Sequence, residues 1–134
     1  MTPEELRART KRFAVDIVRF CGSLPHTDES RIIQRQLLRA GTAVGANYRA
    51  VCRPRSGPDF IAKLGIVIEE ADETLYWLDL IAEAGIATPK SVSGLHREAE
   101  ELTRIFVTSR ATARRNAQQA REPRTQSQIT NRKS

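Results

Sequence analysis

The chain has 134 residues, 40% of them hydrophobic, so it is long enough to bury a core as one domain and too apolar overall for a disordered protein. It has no apolar run near the length of a bilayer span, and its charged start, MTPEELRARTKRF, lacks the apolar core of a secretory signal. We therefore expect a cytoplasmic protein. The formal net charge of +6 is concentrated after residue 109, where seven basic side chains accompany one acid.

The first two helices are predicted from their start and stop signals. The first begins with TPEE at residues 2–5, where a hydroxyl cap precedes a proline and two acids, and it ends with GSLP at residues 22–25. The second begins with TDES at residues 27–30 and ends near Cys52, because prolines follow. Apolar residues recur at helical spacing inside both segments.

The second half of the chain repeats this pattern. A third helix begins with SGPD at residues 56–59 and ends at Gly85, and a fourth begins with TP at residues 88–89. The apolar pattern fades after Ala113, and residues 116–134 contain almost no apolar side chains. We predict an all-α, antiparallel up-and-down four-helix bundle over residues 1–115, followed by a disordered basic tail at residues 116–134.

Two glycines stand inside the second predicted helix, where each costs roughly 1 kcal/mol relative to alanine. Gly41 and Gly45 are four residues apart and therefore share one helix face. The simplest reason for both is the close approach of another helix, where a larger side chain would collide. We predict that these glycines pack against a neighbouring helix.

Blocks of opposite charge occur on the second and third predicted helices. Residues 31–55 hold six basic side chains and no acid, whereas residues 69–83 hold six acids and no base. In a hairpin that turns near residues 54–55, residues whose numbers sum to about 109 lie at the same position along the helix axes, which we call the same height. The predicted ion pairs, within one subunit or between two, are Arg39 with Glu70, Arg35 with Glu73 and Arg31 with Asp79.

Basic side chains near the predicted hairpin turn have few acids at their height, so they are better candidates for an external partner. The tail can bind phosphates non-specifically through counterion release, although it lacks the aromatic side chains that stack on bases. The alternative for the tail is a solvated segment that keeps the protein soluble. The candidate nucleic-acid-binding residues are Arg49, Arg53, Arg55, Arg114, Arg115, Arg121 and Arg124.

Catalytic and metal sites find little support in the sequence. His26 and His96 are isolated, and no serine, cysteine or lysine has a visible base partner. The acids at residues 69–73 have the spacing of di-iron bundles, but the required Glu-x-x-His pairs are missing. Phosphate-binding GxxxxGK[ST] and GxGxxG motifs are missing as well. We expect a protein that is not an enzyme and that needs no metal and no cofactor.

The third predicted helix is apolar on more than one face, which suggests that it contacts several neighbours. Tyr76 and Trp77 are adjacent on it, so one of the two is expected to point away from the core. Both are candidates for an oligomer interface; alternatively, one packs inside the bundle and the other lies at a subunit interface.

Residues 34–48, QRQLLRAGTAVGANY, resemble the small four-helix-bundle proteins first noted in intervening sequences of bacterial large-subunit ribosomal RNA genes. The family pattern runs roughly Q-L-x-R-A-x-x-S-I-x-x-N-I-A-E-G, then a basic loop, a serine and an aromatic residue. The matching positions are Gln36, Leu37, Arg39, Ala40, Val44, Asn47, Arg53, Arg55, Ser56, Phe60 and the AGI at residues 84–86. The chain departs from the pattern at residues 49–51, which read RAV, and at residues 69–70, where two glutamates replace a small Gly-Ser pair.

The resemblance covers about residues 5–115 and implies a four-helix bundle that assembles as a ring, often a homopentamer. Family members include accessory proteins of diversity-generating retroelements, which bind a reverse transcriptase and nucleic acid through a basic surface. It implies no catalytic residues. Two hypotheses follow: a self-associating bundle that binds RNA, DNA or a nucleic-acid-processing protein, or a protein-interaction scaffold ring with no nucleic-acid role.

Overall fold

A computed structural model describes residues 1–53 and 56–121, and this part of the chain folds into four helices without a strand. The helices are α1 (Pro3–Gly22), α2 (Asp28–Val51), α3 (Gly57–Glu83) and α4 (Pro89–Arg121). Each helix packs against its neighbour in sequence, and α1 and α4 touch over a smaller area. The predicted all-α four-helix bundle is confirmed.

The helix starts follow the predicted capping chemistry. Thr2 accepts a hydrogen bond from the Glu5 backbone and Glu5 accepts one from the Thr2 backbone, so α1 opens with a complete capping box. Thr27 and Ser56 cap α2 and α3 in the same way, through their hydroxyl oxygens. Gly85 follows α3 with a φ of 71°, a conformation that favours glycine.

The core lies between the apolar faces of all four helices, and no disulfide supports it, since Cys21 and Cys52 are free thiols. Burial raises the pKa of Cys21 to about 11. The largest fully buried side chains are Phe13, Ile17, Leu37, Leu64, Leu78, Ile81, Leu102 and Phe106.

The fourth helix is longer than the sequence pattern predicted. It continues through residues 116–121, which were assigned to the tail, and ends at Arg121. These residues, NAQQAR, include no Gly or Pro and are rich in good helix formers, so the helix extends beyond the stretch that has a core to cover. The rest of the predicted tail, residues 122–134, lies outside the described residues.

The α1–α2 contact is close because of the two glycines. A Cβ added at Gly41 would lie 2.8 Å from both γ carbons of the fully buried Ile17. A Cβ added at Gly45 would lie 3.1 Å from the Thr10 carbonyl oxygen. Helix α1 therefore crosses α2 where no side chain larger than hydrogen fits without a shift, which is the packing role predicted for this pair.

Candidate nucleic-acid interface

One end of the bundle gathers the start of α1, the end of α2, the start of α3 and the later part of α4. A cavity of about 330 Å³ lies between them, lined by residues of all four helices that include Pro3, Val51, Phe60 and Ile105. Next to it the Tyr48 ring packs against Phe106 with a centroid distance of 5.7 Å. Burial raises the pKa of Tyr48 to about 12, so its hydroxyl stays neutral at physiological pH.

This end, which we call the basic end, carries six arginines from two helices and the adjoining turn: Arg49, Arg53, Arg110, Arg114, Arg115 and Arg121. None of the six makes an ion pair within the described part of the chain. Arg110 lies beside α3, with its Nη1 3.9 Å from a Cβ built at Gly65. Because α3 and α4 are antiparallel, Arg114 and Arg115 then come to the height of the first turns of α3.

The acids at the basic end are few and belong to helix starts. Glu5 is held in the α1 capping box, and Glu4 precedes it in the same turn. Asp59 in the first turn of α3 binds Lys63 at 2.9 Å. Acids in a first turn stabilise their own helix by meeting its positive end.

Five of the predicted nucleic-acid residues that the structure describes lie toward the same end of the bundle, namely Arg49, Arg53, Arg114, Arg115 and Arg121. Two others, Arg55 and Arg124, lie outside the described residues. Sequence reasoning missed Arg110, which lies on α4 one turn before Arg114 and was counted only in the charge of the C-terminal segment.

Some basic side chains farther from this end are held in ion pairs, and Arg39 is one of them. On α2, Arg39 donates from Nη1 to Glu70 Oε2 at 3.3 Å and from Nη2 to Glu73. The Arg39 hydrogen bond lowers the pKa of the Glu73 carboxyl because it stabilises the ionised form, and Trp77 Nε1 donates to the same carboxylate at 3.2 Å. The predicted pairing of Arg39 with Glu70 is present.

The predicted pair of Arg35 with Glu73 does not form within the chain. Arg39 binds the Glu73 carboxylate instead, and Arg35 makes no ion pair within the described residues. The reason is rotational: residues four apart on an α-helix turn by about 40° at each step, so Arg35 points farther from α3 than Arg39 does.

The predicted pair of Arg31 with Asp79 does not form within the chain either. Arg31 lies 3.8 Å from Asp28 on its own helix, and Asp79 binds His96 Nε2 of α4 at 2.9 Å. His96 Nδ1 lies 2.8 Å from Glu100, so the imidazole stands between two carboxylates. Equal height in a hairpin therefore did not suffice, because Asp79 lies on the α4 side of α3.

An ion pair that the sequence did not reveal joins α1 to α4. Arg9 donates to both Glu98 oxygens, from Nε at 2.8 Å and from Nη2 at 2.6 Å, and its Nη2 lies 3.0 Å from Glu101. These hydrogen bonds raise the pKa of Arg9 above its ordinary value, which keeps it charged. The available signal was the pair of acids three apart on α4, which share a face and suit one arginine.

A groove that shares Arg49 with the basic end runs along the outer side of α1 and α2. Its volume is about 410 Å³, and small side chains form its floor, including Ala14, Gly45 and Ala46. Arg7, Lys11 and Arg49 line it as well, and no acid does. We call it the α1–α2 groove.

The two adjacent aromatic residues of α3 differ in their exposure to solvent. Tyr76 is 56% exposed, whereas Trp77 is half-buried against the core and donates its indole N–H to Glu73. Their rings meet edge to face with a centroid distance of 4.9 Å. Of the two proposed interface residues, only Tyr76 therefore presents most of its ring to the outside.

The described part of the chain has no group of three or more His, Cys, Asp or Glu side chains arranged to hold a metal ion. None of its helices combines the length and hydropathy needed to cross a membrane.

Comparison with known proteins gives a consistent result. A sequence profile described as "23S rRNA-intervening sequence protein" matches residues 5–108. The structure is similar, with a TM-score of 0.75 and 29% sequence identity, to a crystal structure of a protein with unknown function from the S23 ribosomal protein family of Bacteroides thetaiotaomicron. The match covers 83% of this chain and 99% of that one. No curated protein matches. Since the profile spans most of the sequence, the chain belongs to the 23S rRNA-intervening sequence protein family.

Proposed function

We propose that this protein is a non-enzymatic, cytoplasmic bundle that self-associates, as a homopentamer, and binds nucleic acid or a nucleoprotein through its basic end. The observation that carries the proposal is the number of arginines at one end of the bundle: the six arginines of the basic end make no ion pair in the described structure, and few acids lie at that end.

Uncompensated arginines on one surface are the electrostatic footprint of phosphate binding. Each phosphate that such a side chain neutralises releases a condensed counterion, which supplies most of the affinity of sequence-independent binding. The basic end carries no exposed aromatic side chain on which a base would stack. Backbone recognition without sequence preference is therefore the mode that the chemistry favours.

The similar proteins support a role at RNA only through the names of their families. The family profile is named for an intervening sequence of 23S ribosomal RNA, and the structural neighbour is assigned to a ribosomal protein family. Those words describe the relatives, and they agree with a role at RNA for this chain.

The test is a matched pair of charge reversals on α4. The double variant Arg114→Glu/Arg115→Glu changes the basic end, and Lys90→Glu/Arg97→Glu changes net charge equally at the other end of the same helix. With nuclease-treated protein and a labelled single-stranded RNA at low salt, we expect the first variant to lose at least about tenfold in affinity and the second to lose much less. Equal losses would show that net charge alone matters, and no binding by the wild type would refute the proposal.

A second function, a scaffold ring that docks a protein, is favoured by one observation, the exposed ring of Tyr76. On that account, Arg53→Glu leaves a complex with the partner protein intact, and Tyr76→Ala disrupts either assembly or docking. RNA binding that depends on the basic end would decide against it.

A further inference from the structure

Exposed apolar side chains concentrate on two faces of the bundle. On the outer side of α1 and α2, Val15, Val18 and Leu38 are 40%, 50% and 37% exposed. On the outer side of α3, Ile66 and Tyr76 are 46% and 56% exposed. The other large apolar residues exposed in the described chain are Met1, Ile32 and Val107.

The first face continues the α1–α2 groove. Val18 follows Ala14 by four residues and Leu38 precedes Thr42 by four, so both extend the line of side chains that form the groove. Gly41 and Gly45 draw the two helices together beneath it, so the floor is shallow and built of small side chains. Such a channel has the shape to receive one helix of a partner.

The second face is a ridge on α3, formed by Ile66, Glu69, Asp72, Tyr76 and Glu83, which we call the α3 ridge. All five are exposed, and their spacings of three, four and seven residues place them along one side of the helix. The ridge therefore carries two apolar side chains and three acids.

The charges of the two faces are opposite. Arg7, Lys11 and Arg49 line the α1–α2 groove, and no acid does. Arg35 precedes Thr42 of the groove by seven residues, so it lies on the same side of α2. Neither Arg35 nor Asp72 makes an ion pair within the described chain. Both faces thus leave charged groups available, of the sign that the other face would attract.

We infer that the α3 ridge of one copy docks into the α1–α2 groove of a second copy of this chain. The two faces lie on different sides of one molecule, so the contact is heterologous and repeats from copy to copy until a ring closes. This inference rests on the self-association part of the proposed function, and of the arginines of the basic end it involves only Arg49, which lines the groove.

The register of the contact follows from the heights inside one copy. Arg39 meets Glu70 and Glu73, which fixes how α2 and α3 align. When two copies stand side by side with parallel axes, Ile66 comes to the height of Gly45, where the floor of small residues leaves room for it. Tyr76 of one copy then lies at the height of Arg35 of the other, and Asp72 lies one helical turn from that height.

Single substitutions at exposed positions test the two faces separately. Val18→Glu places an acid in the groove and Tyr76→Glu removes the aromatic anchor of the ridge, while Val107→Glu is the matched control on α4, away from both. By light-scattering mass, the wild type is expected at a multiple of 15.0 kDa, the first two variants at the monomer mass and the control at the wild-type mass.

A mixture of the Val18→Glu and Tyr76→Glu variants distinguishes a heterologous contact from a two-fold symmetric one. The Val18→Glu copy keeps an intact ridge and the Tyr76→Glu copy keeps an intact groove, so together they form one sound interface and a dimer. A mixture that stays monomeric would overturn the head-to-tail arrangement.

A charge exchange gives an independent check if either variant loses helicity by circular dichroism. Arg35→Glu and Asp72→Arg alone are expected to weaken assembly, and the double variant to restore it. Wild-type mass in all variants would refute this interface while leaving self-association intact. A monomeric wild type would refute self-association itself, and RNA binding by that monomer would still support the nucleic-acid part of the proposed function.

Discussion

Helix α2 has two different contacts. Toward α1 it presents Gly41 and Gly45, and the two backbones approach so closely that an added Cβ meets Ile17 at 2.8 Å. Toward α3 it presents Arg39, which reaches two acids across the surface. The first contact depends on steric fit in the core and the second on charge at the surface, and these differ greatly in how much a single substitution should cost.

The largest expected effect lies at the α1–α2 contact. Gly41→Leu places a side chain against the fully buried Ile17, which has no room to move, and overpacking of this kind costs about 3 kcal/mol. Gly94→Leu is the matched control, because no atom lies within 4 Å of its added Cβ, and it should gain up to about 1 kcal/mol of helix propensity. Urea unfolding of both variants measures the difference; similar stabilities would mean that α1 and α2 are not closely packed.

Arg9→Ala comes next, since its guanidinium bridges α1 and α4 through two acids and is 19% exposed. We expect a loss of about 1 kcal/mol in the free energy of unfolding, typical of charge-assisted hydrogen bonds that are partly shielded from water. Arg12→Ala removes the same side chain from an exposed position of α1 without an ion pair in the described structure and should change stability little. A smaller loss at Arg9 than at Arg12 would contradict the role of this bridge.

Arg39→Ala should destabilise the bundle less than Arg9→Ala, because water screens its ion pairs. Its control is Arg35→Ala, one turn away on the same helix and unpaired within the described chain. Thermal unfolding at low and high salt separates them: the difference between the two variants should shrink as salt rises. A cost for Arg35→Ala as large as that for Arg39→Ala would erase the distinction between paired and unpaired arginines.

The smallest effect concerns pH. The pKa of Glu73 is lowered in the folded state, so its ionised form adds stability above the pKa of the unfolded chain, and that stability is lost as the pH falls through the folded value. Glu73→Gln keeps an oxygen for the Trp77 indole but removes the charge. Its melting temperature should lie below that of the wild type at pH 7, and the difference should shrink as the pH falls below the pKa of the unfolded chain. A constant difference across this range would show that Glu73 does not contribute through its charge.

Several features were predictable because they depend only on local chemistry. The caps at Thr2, Thr27 and Ser56 and the glycine spacing of α2 follow from helix geometry, and the structure has all of them. Apolar periodicity predicted the end of α4 too early, because residues 116–121 form helix without contributing to the core.

The ion pairs were predictable only in part. Height along a hairpin placed Arg39 beside Glu70, but the pairing of Arg31 and Arg35 also required the rotation of each side chain about its helix, which height does not define. The Arg9 bridge joins residues 89 positions apart, on helices whose contact no local pattern predicts. Arg110 belongs to the basic end for the same reason: its place follows from the packing of α4 on α3.

The most direct test of the central claim, that the basic end binds nucleic acid, is the dependence of RNA affinity on salt. For single-stranded RNA, the slope of log K against log salt changes by about 0.7 for each phosphate contacted. We predict that Arg114→Ala/Arg115→Ala reduces the slope by about 1.4, as two lost phosphate contacts require, and that Lys90→Ala/Arg97→Ala leaves it unchanged. An identical slope in both variants and the wild type would contradict the account.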